Sequence, residues 1–76
     1  MITGEIITWF RKKGFGFIKV DDEFGLDAHM FFHAAALVPG YEPGLRVGDR
    51  VGFHVGERNG RPCGQAVRPL KESTSG

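Results

Sequence analysis

The chain is short of several things, and each shortage narrows what it can be. Its 76 residues include one cysteine, Cys63. A single thiol closes no internal disulfide and completes no common zinc pattern, and it fits a reducing compartment, most simply the cytosol. No apolar run approaches the roughly 18 residues of a membrane-spanning helix. The opening Met1-Ile2-Thr3-Gly4-Glu5 lacks the basic and apolar regions of a secretory signal. A soluble cytoplasmic protein is the expectation. Length is short as well: a chain of 76 residues buries only about 60–65% of its unfolded surface, which allows one small core and argues against folds built around a cofactor.

What the chain has in excess is glycine, with 12 residues, and phenylalanine, with 7. Each interior glycine costs a helix about 1 kcal/mol, so a helical bundle is a poor solution and a small all-β domain a good one. The net charge of +1 hides a division along the chain. Residues 1–20 carry Arg11, Lys12, Lys13 and Lys19 against Glu5 alone, and residues 46–71 carry six basic residues against Asp49 and Glu57. Between them Asp21, Asp22, Glu23 and Asp27 stand with no basic neighbour. Folded together, the two basic segments can form one basic face with an acidic rim; left apart, they are solvated charges without a partner.

Five strand-like stretches are separated by turn residues. Glu5 to Phe10 holds good strand formers, and Arg11-Lys12-Lys13-Gly14 reads as a turn. Phe15 to Val20 alternates with period two, placing Lys13, Phe15, Phe17 and Lys19 on one face and Gly14, Gly16, Ile18 and Val20 on the other. After the acidic loop, Met30 to His33 forms a third strand, with Phe31 and His33 on the same face. Ala34 to Leu37 makes one helical turn, and the segment through Gly44 is loop by its proline and glycine content. A fourth strand is expected over Arg46 to Val55, a hairpin turn at Asn59-Gly60, and a fifth strand from Cys63 to Leu70. Five short strands suggest a closed barrel, which removes exposed sheet edges. The domain is expected over residues 1–70, with 71–76 a polar, frayed tail.

If Ile18 and Val20 face the core, Phe15 and Phe17 face solvent between Lys13 and Lys19. Phe31 and His33 repeat the arrangement on the neighbouring strand, and Trp9 or Phe10 adds a ring from the first. The alternative is that the phenylalanines point inward, but both faces cannot be core in so small a chain, and the lysines track with the phenylalanines. An aromatic platform fringed by cations suits single-stranded nucleic acid, whose bases stack on rings for about 1–3 kcal/mol each while the cations follow the phosphates.

These residues resemble a known family. Lys13-Gly14-Phe15-Gly16-Phe17-Ile18 is similar to the first ribonucleoprotein motif of cold-shock domains, and Met30-Phe31-Phe32-His33 to the second, with the family form V-F-V-H. Gly48 to Phe53 stands in place of G-x-x-V-x-F, and Pro62 to Val67 in place of the closing P-x-A-x-x-V. The resemblance, to bacterial members in particular, runs from Gly4 to about Leu70. It implies a five-stranded antiparallel OB-fold barrel that binds single-stranded RNA and DNA, tolerates pyrimidines and acts as a nucleic-acid chaperone, with roles in stress response and in transcription or translation regulation. By position, Phe15, Phe17, Phe31 and His33 stack on bases and Lys13 contacts phosphate or base edges. Tyr41 offers a ring from the long loop, and the basic residues after Arg46, Arg61 among them, add phosphate contacts.

The chain also departs from the family. The usual opening is G-x-V-K-W-F-N; counted without gaps from Gly4, Thr8 falls at the tryptophan, Trp9 at the phenylalanine and Phe10 at the asparagine. A one-residue bulge offset by a shorter turn would instead restore Trp9 and Phe10 to the aromatic pair. The loop from Asp21 to His29 is about three residues longer than usual, and Ala34 replaces an aromatic found in bacterial members.

An enzyme reading is weak. His29, His33 and His54 have no carboxylate at a useful spacing, no nucleophile–base pair is visible, and Gly14-x-Gly16 lies on a strand instead of opening a helix. No metal and no cofactor are expected. The competing class is a small β-barrel that takes a peptide partner on the same aromatic face, although the lysine fringe argues against it. A monomer is expected, with a homodimer through Phe24 and Leu26 of the acidic loop left open.

Overall fold

The computed structural model describes residues 1–25 and 29–70. Five strands, β1 (Ile2–Phe10), β2 (Phe15–Val20), β3 (His29–His33), β4 (Arg50–Arg58) and β5 (Arg61–Pro69), close into a barrel in the order β1-β2-β3-β5-β4. Neighbours run antiparallel except at the closing pair: β3 meets β5 in parallel at Phe32 and Gly64, and a further parallel bridge joins Leu37 to Val67. This is the closed barrel expected from the strand pattern, in the OB-fold form that the family resemblance implies.

The interior comes from one alternation per strand. Ile6, Ile18, Val20, Met30, Phe32, Val51, Phe53 and Val67 point inward, and Tyr41 and Leu45 from the connecting segment plug the barrel. Phe32 and Phe53, both with no exposed surface, are the largest of the fully buried side chains. Gly16 has to be glycine, because a Cβ there would collide with the Thr8 carbonyl oxygen and the Phe32 ring. The β4–β5 hairpin turns at Asn59-Gly60, whose φ angles of 54° and 79° are both left-handed, as a two-residue turn between the paired Arg58 and Arg61 requires.

Element positions differ from the sequence reading where long-range closure intervenes. β1 begins at Ile2 because Ile2–Glu5 pairs with Phe53–Arg50 of β4. The fourth strand starts at Arg50, four residues later than expected, and continues to Arg58. Residues 46–49 instead form a turn: the Arg46 amide donates to Asp49 Oδ2 at 3.0 Å and the Asp49 amide donates to the Arg46 carbonyl at 3.1 Å. The helical turn at Ala34–Ala36 is a single 3₁₀ turn. Phe24 packs against the core from a second such turn, Asp22–Phe24, and is half-buried. Leu26, Asp27 and the 71–76 tail lie outside the described residues.

Candidate nucleic-acid interface

The outer face of β1, β2 and β3 is set by a one-residue bulge. Glu5 pairs with Lys19 and Ile6 with Ile18, but Thr8 pairs with Phe17, Trp9 with Gly16 and Phe10 with Phe15, so Ile7 is the extra residue. A bulge exchanges the faces of everything after it. Ile6 therefore points in, Trp9 also points in, and Thr8 and Phe10 point out. On the other side of β2, Phe17 pairs with Phe31 and Phe15 with His33. Two rows result across three strands: Thr8, Phe17, Phe31 and, beside it, Phe10, Phe15, His33.

The rings of these rows touch. Phe15 lies 5.1 Å from Phe10, 5.6 Å from Phe31 and 6.1 Å from Phe17 between centroids, and Phe17 lies 5.9 Å from Phe31. Tilted and edge-on contacts at these separations are favourable and hold the rings in fixed attitudes. All four keep part of their surface in solvent. His33 is oriented as well: its Nδ1 accepts from the Ala35 amide at 3.1 Å, which puts the ring proton on Nε2. A planar heterocycle laid on this surface meets several π faces without displacing any core side chain.

The cations are arranged around the rings. Lys13 holds its ammonium 5.9 Å from the centre of the Phe10 ring. Beyond Phe17 and Phe31 a groove of about 570 Å³ runs to the β4–β5 hairpin, lined also by Arg58, Asn59, Arg61, Pro62 and Cys63. Among the described residues Lys13, Arg58 and Arg61 have no carboxylate partner. Arg50 is the contrast. It grips Asp21 with two donated hydrogen bonds of 3.0 and 2.7 Å, and Thr3 Oγ1 donates to the same carboxylate at 2.6 Å. Those donors, the Arg50 guanidinium first, lower the Asp21 pKa to about 2. Lys19 is exposed on the outer face but sits toward this corner, around a recess shared with Glu5, Asp21, Asp22 and Arg50. The basic groove and the acidic rim are at separate places on the barrel.

The family model described as 'Cold-shock' DNA-binding domain matches residues 3–70. The chain belongs to the cold-shock domain family. No curated protein matches it. Twenty-nine chains of solved structures do. One is described as "drosophila Unr CSD456", with a TM-score of 0.73 at 21% identity. That alignment covers 99% of this chain and 29% of the other, so the chain spans under a third of that neighbour's length. Likeness at that identity speaks to the fold, while the family match carries nucleic-acid binding in general.

Within this cold-shock domain, Lys13, Phe15, Phe17, Phe31 and His33 share one surface, and Arg61 reaches it through the groove. Three expected residues do not: Lys19, which sits at the acidic corner, Tyr41 and Trp9. Tyr41 is 7% exposed, and its hydroxyl donates to Asp49 Oδ2 at 2.7 Å. Burial and that carboxylate raise its pKa, and no ring face is free to stack. Trp9, half-buried, lies flat on the core ring of Phe32, with centroids 5.5 Å apart and planes within 5°, and its Nε1 is buried without a hydrogen-bond partner. Phe10 stands in the platform where Trp9 was also a candidate. Arg58, one of the basic residues after Arg46 but not singled out in the sequence, lines the same groove as Arg61. The signal was available, since Asn59-Gly60 makes residues 58 and 61 a cross-strand pair.

Proposed function

We propose that this cold-shock domain binds single-stranded RNA and DNA on the outer face of β1–β3 and acts as a passive nucleic-acid chaperone. The observation that carries the reading is the contiguous cluster of Phe10, Phe15, Phe17 and Phe31, part-exposed and flanked by Lys13, Arg58 and Arg61. Exposed rings in contact are a cost to a free protein unless a ligand covers them. Unpaired bases supply that cover at about 1–3 kcal/mol each, and every base has a π face, so sequence preference is modest and pyrimidine runs are accepted. Phosphates on the groove cations make the affinity salt-dependent.

The proposed mechanism makes and breaks no covalent bond. Capture of unpaired bases shifts the equilibrium of structured RNA toward its open form by mass action, and any influence on transcription or translation follows from that opening. A monomer is sufficient, and the cytosol, where a lone thiol stays reduced, is the setting we propose. The competing peptide-binding module finds less support, because no carboxylate lines the groove among the described residues.

The test is fluorescence anisotropy of a labelled pyrimidine-rich oligonucleotide at two salt concentrations, with a duplex of the same sequence as competitor, followed by opening of a quenched RNA hairpin without nucleotide triphosphate. Salt-sensitive binding that prefers the single strand, with hairpin opening in proportion to occupancy, is expected. Equal affinity for the duplex, or no binding at low salt, refutes the reading and leaves a peptide partner as the better one.

A further inference from the structure

We infer that Phe10, together with Lys13, forms an additional base-stacking subsite at the β1 edge of the platform, where the bound strand leaves the protein. The inference rests on the single-strand reading above and extends it to a position the family motif does not supply: counted without gaps, the family has asparagine where this chain has Phe10.

Three observations carry it. Phe10 is 44% exposed and is the one aromatic among the exposed large hydrophobics of the described residues, so packing does not account for it. Its ring makes a tilted approach to Phe15 and has the Lys13 ammonium over it. It also lies at an open margin: β1 pairs with β4 only through Ile2–Glu5, so residues 8–10 have β2 on one side and no strand on the other.

The geometry orders the path of a strand. It enters at the groove beside Arg58 and Arg61, crosses Phe31, Phe17 and Phe15, and reaches Phe10 last, with Arg11, Lys12 and Lys13 following in the turn. In the free protein the ammonium occupies the face of the Phe10 ring. When a base arrives it takes that face, and Lys13, on a flexible stem, moves to the adjoining phosphate. The Ile7 bulge is what makes this subsite, because it turns Trp9 onto Phe32 and Phe10 outward.

A terminal subsite has a signature that a packing role lacks, which is dependence on ligand length. Affinities of oligothymidylates from about four to about ten nucleotides are measured for the wild type and for Phe10→Leu, which keeps an apolar side chain and removes the π face. The wild type is expected to gain affinity up to a length at which the variant has already stopped gaining. For the longer strands the variant binds about 5- to 150-fold more weakly, and for the shortest it matches the wild type. Lys13→Met is expected to reduce the salt slope by about one on the long strands only. A Trp9→Phe/Phe10→Trp variant, carrying its only indole at the subsite, is expected to be quenched by long strands and not by short ones. Equal loss at every length means that Phe10 supports Phe15 instead of binding a base, and no loss at any length means that it binds nothing; either result overturns the subsite alone. A wild type that binds no single strand at any length removes the function reading and the subsite together.

Discussion

Phe31 and Phe32 are neighbours on β3 with opposite fates. Phe32 is completely buried, stacked on Trp9 and pressed against Gly16, while Phe31 leans on Phe15 and Phe17 at the surface. The same two faces divide β2, where Ile18 and Val20 are core and Phe15 and Phe17 are not. The residue types alone do not explain the division, since phenylalanine occurs on both sides. The inner face is filled because burying apolar surface stabilises the barrel, while the outer face carries rings that keep part of their surface in solvent.

The largest expected effect tests the inner side. Phe32→Ala removes a fully buried ring and leaves a cavity under Trp9, at a cost of about 3–5 kcal/mol, a large share of the stability of so small a domain. Urea denaturation should show a midpoint far below the wild type, or no folded baseline. Phe31→Ala, one residue away, should move that midpoint little and weaken oligonucleotide binding by about 1–3 kcal/mol, read by anisotropy. If the stability losses of the two variants are equal, the division between the faces is wrong.

Charge sharpens the comparison further. Arg61→Gln removes a cation from the groove and is expected to reduce the salt slope of binding by about one without changing the denaturation curve. Asp21→Asn gives the converse result at the acidic corner. The Asp21 carboxyl is held at about 2 in the folded protein, below its unfolded value of about 3.9. The stability it contributes is therefore fully present above about pH 4, and is lost as pH falls toward about 2. Both members of the pair are partly exposed, so the contribution is small, about 0.5–1 kcal/mol. Urea midpoints from neutral pH downward should converge for wild type and Asp21→Asn at the acid end, with binding at neutral pH changed far less than by Arg61→Gln. A constant gap between the two proteins at every pH would exclude the ion pair as its origin.

Much of this was legible in one dimension because it depends on local periodicity. The Phe15–Val20 alternation separated the faces of β2, and Met30–His33 did so for β3. Asn59-Gly60 announced its hairpin because both residues tolerate a left-handed backbone. Errors arose where a residue's surroundings come from distant sequence. Val47 and Asp49 continue the alternation of the fourth strand, yet residues 46–49 turn because Asp49 bonds Arg46 and Tyr41. Tyr41 sits in a loop by composition and is buried because the barrel end needs a plug. Trp9 and Phe10 were indistinguishable in pattern, since a bulge leaves no mark on the order of residue types.

The amino-acid order by itself determined the class of fold, the family, and which face of the second and third strands would carry rings and cations. Those follow from period-two alternation, turn chemistry and a short motif, all properties of consecutive residues. Only the tertiary structure decided that Ile7 is the extra residue in β1, so that Trp9 lies beneath the platform and Phe10 within it. It also decided that the β4–β5 hairpin brings Arg58 and Arg61 to the rings while Arg50 is held by Asp21. Register and closure depend on which strands meet, and that is fixed by packing across the whole barrel.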